Sequence, residues 1–67
     1  MNVDIRQAVI GNLKGTSHDD LDKTIVDAVD GKDEKTLPGL GVLFELVWNS
    51  ANQSEKSKLI DSITSQL

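Results

Sequence analysis

One stretch, LPGLGVLFELVW at residues 37–48, limits what the rest of the chain can fold into. It holds the only Pro, Phe and Trp of the sequence and a single charge, Glu45. Wound as a helix over about 38–50, it places Leu40, Val42, Leu43, Phe44, Leu46, Val47 and Trp48 almost all the way around the axis. A helix apolar on all sides is expected to be central and touched by several neighbours. A strand is the rival assignment, because short apolar runs are ambiguous by periodicity alone. The length of the run, its Leu-Pro start and the helical spacing on either side favour the helix.

Three amphipathic segments flank it. Residues 3–13 carry Ile5, Val9 and Leu13 on one stripe with Ala8 beside it; Asn2 or Asp4 is the start signal and Gly15 the stop. Residues 18–29 repeat the pattern with Leu21, Ile25, Ala28 and Val29, while Asp20, Asp22, Lys23 and Asp27 take the wet face. Thr16 and Ser17 each have an Asp three positions on, which leaves two registers for the N-cap. Gly31 is expected to close this helix in a left-handed cap, followed by the charged loop DGKDEK at 30–35. Residues 55–67 place Leu59, Ile60, Ile63 and Leu67 on a buried stripe, with Asn52 or Ser54 as cap and Asn52-x-x-Glu55 at capping-box spacing. The expectation is an all-α fold: a compact small bundle of about four short helices in one domain, residues 1–67.

Sixty-seven residues give a small core, and the absence of Cys removes disulfides and thiolate metal sites as supports. Nearly all apolar residues are therefore expected to serve the core. The chain is read as an unsecreted, soluble protein, since no apolar run reaches the ~20 residues of a membrane span and MNVDIRQAVIGNL lacks the signal-peptide pattern. The net charge of -4 disfavours nucleic acid as a partner, because the seven Lys and Arg are scattered among acids rather than gathered in a patch.

No constellation of catalytic type stands out. Gly39-Leu40-Gly41 lacks the third Gly, the preceding strand and the later acid of a dinucleotide loop, and it lacks the Gly-Lys-Ser/Thr ending of a phosphate loop. Pro38 suits a first helical turn, and Gly39 and Gly41 are expected to let a neighbouring helix backbone approach. His18 next to Asp19 and Asp20 reads as an exposed residue at a helix start, and His18, Asp19, Asp20 and Asp22 match neither an EF-hand nor a zinc spacing. Glu45 has two readings: a buried acid of raised pKa, or a solvent-reaching charge near Lys35 or Lys58. Phe44 and Trp48, four apart, are either core or an anchor for a partner or a second copy. Leu37, Pro38, Gly39, Leu40, Gly41, Phe44 and Trp48 form the candidate structural or interaction set. No catalytic residue, cofactor or metal is assigned.

LPGLGVLFELVW resembles the small acid-soluble spore protein I family, minor proteins of endospore-forming bacteria. RQAVIGN with Gly15 (Arg6, Ala8, Val9, Ile10 and Asn12), TIVDA (Thr24 to Ala28) and Glu34-Lys35 follow the same pattern, which extends more loosely to Glu55-Lys56. The resemblance implies forespore expression and residence in the spore core. It implies no reaction, cofactor or catalytic residue. The major DNA-coating α/β-type spore proteins are a different family whose motifs are absent here. The expected function is thus a non-catalytic spore-core protein with a structural or protein-interaction role, its partner being a second copy or another spore protein met through the third helix. The alternatives are a DNA-associated spore protein and an amino-acid store degraded on germination.

Overall fold

The computed structural model describes residues 4–67, so of the two expected start signals for the first helix Asn2 lies outside the described residues, as does Val3, the expected first residue of that helix. Four α-helices and one 3-10 turn follow in order, with no strand among the described residues: α1 (Ile5–Leu13), α2 (His18–Gly31), the turn (Glu34–Thr36), α3 (Leu37–Ser50) and α4 (Gln53–Thr64). The fold is the expected small all-α bundle.

Each helix start has a local chemical cause. Asp4 caps α1, its Oδ1 accepting from Gln7 N–H at 3.1 Å. Of the two registers open for α2, Ser17 is used: its Oγ accepts from Asp20 N–H at 3.2 Å, and Asp19 and Asp20 lie in the first turn against the positive end of the helix dipole. At α4 the capping box is complete, with Glu55 N–H donating to Asn52 Oδ1 at 2.8 Å and Asn52 N–H donating to Glu55 Oε1 at 2.9 Å. Pro38 sits in the first turn of α3, where its missing N–H leaves no hydrogen bond unmade.

The segment between α2 and α3 departs from expectation. Gly31 remains helical, and the left-handed residue is Lys32 at φ 52°. The reason lies downstream. Asp33 caps the 3-10 turn by accepting Lys35 N–H at its Oδ1 (2.9 Å), and its carbonyl accepts Thr36 Oγ1–H (2.7 Å). With the chain held from Asp33 onward, the reversal falls on Lys32, which takes a conformation costing a non-Gly residue about 1 kcal/mol or more. The expected charged loop at 30–35 is thereby shortened to a turn that leads straight into α3. Gly15, at φ +81°, does mark the stop after α1.

α3 is the hub: α1, α2 and the 3-10 turn pack against it. Val42, 5% exposed, is the one buried side chain among the described residues. The flanking stripes are covered less than expected. Val9, Leu13, Leu21, Ile25, Ala28 and Leu59 are half-buried, whereas Ile5, Val29, Ile60 and Ile63 are exposed. α4 ends at Thr64, and Leu67, expected on its buried stripe, lies beyond it at 96% exposed. The cause is geometric: short helices crossing one hub enclose little volume, so each covers only the inner edge of its apolar face.

Candidate functional site

The candidate residues all belong to α3, and five of the seven line two grooves. Pro38, Gly39, Leu40 and Leu43 face a groove of about 490 Å³ whose other walls are Ile5, Val9 and Leu13 of α1 with Ile25 and Ala28 of α2. Phe44 and Trp48 line a second groove, about 400 Å³, against Ile60 and Ile63 of α4. Leu37 and Gly41 are exposed.

The two glycines do not mediate backbone contact. A Cβ built on Gly39 would meet Val9 Cγ2 at 3.9 Å, an ordinary side-chain contact, and one built on Gly41 would meet nothing within 4 Å. The neighbour that Gly39 faces is thus the Val9 side chain of α1, not a helix backbone.

Phe44 and Trp48 stack with ring centroids 6.0 Å apart and planes 29° from parallel. One turn of helix fixes this i, i+4 pair as a single ridge. Lys56 of α4 lays its Nζ over the Trp48 ring at 5.3 Å from the centroid, a cation–π contact that ties the start of α4 to the end of α3. Trp48 is half-buried by these neighbours, while Phe44 remains 42% exposed. The pair is therefore neither a closed core nor a free surface.

Glu45 pairs with Arg6, not with Lys35 or Lys58. Arg6 donates from Nε to Oε1 at 2.8 Å and from Nη2 to Oε2 at 2.9 Å, a two-pronged bridge from α1 to α3. The hydrogen bond from Arg6, aided by its charge, holds the Glu45 carboxyl below its ordinary value, against a smaller opposing effect of desolvation. The same bond raises Arg6. A general acid at neutral pH needs a raised pKa, so this direction counts against the buried-acid reading of Glu45.

His18 and Asp19 approach to 3.8 Å on a surface almost fully open to water. Among the described residues no three His, Asp or Glu converge as a metal would require. Both grooves are walled by hydrocarbon with isolated polar groups at the edges: Asn12, Thr24, Lys35 and Thr36 at the first, Glu45 and Asn49 at the second. What such surfaces do chemically is bind other apolar surface.

Two parts of this arrangement escaped the sequence reading. Ile60 and Ile63 carry helical periodicity that is identical for a buried and a half-open stripe. Arg6 lies 39 positions from Glu45, and the one available signal was that it is the only Arg of the chain.

The profile of the family described as Small, acid-soluble spore protein I matches residues 3–67. The chain is similar to Small, acid-soluble spore protein I of Bacillus subtilis, 46% identical over 63 residues, 94% of this chain and 89% of the relative. It is similar to the protein of the same description from Halalkalibacterium halodurans, 43% identical over 67 residues, 100% of this chain and 98% of the relative. The Bacillus velezensis protein is 48% identical over 63 residues, again 94% of this chain and 89% of the relative. No solved structure matches the chain. Agreement that spans α1 to α4, the central helix included, shows that this chain belongs to the small, acid-soluble spore protein I family.

Proposed function

We propose that the chain is a non-catalytic protein of the spore core whose work is structural, carried out through protein contacts made by α3 and the helix that leans on it. The observation that carries this reading is the state of α3. Leu37, Phe44, Leu46 and Val47 of the most apolar helix stay exposed in the isolated chain, and the titratable pair found beside them among the described residues, Arg6 and Glu45, is a closed ion pair. Apolar surface of this kind marks a contact site in a chain too small to cover it alone. Membership in a family of spore proteins supports the setting.

Capture from spore-core extract with immobilised full chain tests the reading, with Trp48→Ala as the control. The expected result is a reproducible set of retained proteins, or of the chain's own copies, that Trp48→Ala loses. Retention of nothing, or salt-sensitive binding to duplex DNA in a mobility-shift assay, contradicts it and favours the DNA-associated alternative.

A further inference from the structure

We propose that the groove between α3 and α4 seats a second copy of this chain, in a two-fold symmetric dimer that packs Phe44, Ile60 and Ile63 of each copy against the same residues of the other. The proposal rests on the reading of α3 as a contact helix and names the partner.

The surface area argues for a partner of this size. The chain exposes 5748 Å², whereas a folded monomer of its 7.3 kDa is expected to expose about 4,200 Å². The excess of about 1,500 Å² is more than the ~800 Å² that each partner contributes to a standard interface. The radius of gyration agrees, at 13.3 Å against about 11 Å for a domain of this length.

Charge selects the face. Two copies that each carry a net charge of -4 repel, so they meet where charge is locally compensated. Among the described residues Glu45 is the only ionisable one lining the α3–α4 groove; Arg6 pairs with it, and the nearby Lys56 over the Trp48 ring adds a positive charge rather than a negative one. Val26 and Val29, also exposed, sit on α2, a helix that carries five Asp and one Lys, where a second copy would bring like charges together. The groove among α1, α2 and α3 is a poorer seat, because, with Ile5 the one large apolar residue left exposed in its wall, Val9, Leu13, Ile25 and Leu43 are already half-buried there.

Exposure locates the contact atoms. Phe44, Ile60 and Ile63 are 42%, 47% and 45% exposed around one groove. An isologous contact covers the patch on both copies with a single surface and closes at two. With one buried side chain among the described residues, the chain gains from further burial whenever it folds, and its own copy is the partner present at that moment.

Sedimentation equilibrium of the purified full chain, from micromolar to hundreds of micromolar, tests the proposal with Ile60→Asp, Ile63→Asp and the control Val26→Asp, helix content being followed by circular dichroism. The expected result is a dimer for the natural chain and for Val26→Asp, and dissociation strengthened by about a hundredfold or more in the two α4 variants. A natural chain that is monomeric throughout overturns the proposal, and if that monomer still captures spore-core proteins the proposed function stands without it. A dimer of undiminished strength in both α4 variants overturns the assigned face. Should either variant lose its helix, single cysteines introduced into this Cys-free chain give a second reading. Ile63→Cys is expected to cross-link between copies with a short bis-maleimide and Val26→Cys is not; the reverse pattern overturns the face.

Discussion

Arg6 and Glu45, 39 positions apart in sequence, meet through two parallel hydrogen bonds of 2.8 and 2.9 Å that clamp the first helix of the bundle to the third. The pair is exposed, so its role is to set the approach of α1 to α3 rather than to supply much stability. Its pH dependence follows from the lowered Glu45 carboxyl. A carboxyl that titrates lower when folded than its unfolded value of about 4.3 stabilises fully above that value, and the contribution is lost as pH falls through the folded pKa. Thermal melts of the natural chain and Glu45→Gln are expected to differ at pH 7 and to converge in strong acid. They should also converge in high salt. A gap that widens on acidification would contradict the pairing.

Val42, 5% exposed, is the one buried side chain among the described residues. Val42→Ala removes buried methyl groups and leaves a void, a loss of about 2 kcal/mol. In so small a domain that corresponds to a Tm lower by about 8–16 °C. Leu46→Ala, on an exposed position of the same helix, is expected to cost far less in calorimetry at low protein concentration.

The reciprocal box at Asn52 and Glu55 starts α4, which packs on the rest of the bundle more loosely than α1 and α2 pack on α3. Asn52→Ala is expected to cost about 1 kcal/mol, as loss of an N-cap does. Amide exchange should show the effect first in the opening turn of α4. Uniform destabilisation across α1 and α2 would mean that α4 is more tightly integrated than its packing indicates.

Lys32 carries the positive φ that Gly31 was expected to take. Lys32→Gly relieves a left-handed non-Gly residue, and Gly31→Ala fills open space at a helical position. Each is expected to stabilise the chain by about 0.5–1 kcal/mol in thermal melts. Gly15→Ala should do the opposite, because Gly15 at φ +81° needs the conformation that Ala avoids.

These positions show what was legible in the sequence. The four helices could be read because capping residues and apolar spacing act locally: Ser17 with Asp20, Asn52 with Glu55 and Pro38 in a first turn each state a helix start within a few residues. The hub role of α3 followed from an apolar surface that no single neighbour could cover. What could not be read depends on how the helices cross. Leu13 and Ile63 carry the same periodic signal, yet one is half-buried and the other open. The same limit applies to the partner of Glu45 and to the emptiness around Gly41, since both are set by the angle and depth at which α1 meets α3.

If the chain completes its burial against a second copy of itself, as proposed, its Tm depends on protein concentration. Folding coupled to dimerisation makes Tm rise with concentration, by about 5 °C per tenfold for a chain of this length. The predicted result is that rise for the natural chain and its marked reduction in Ile60→Asp. A Tm that stays constant from micromolar to millimolar chain would contradict the claim.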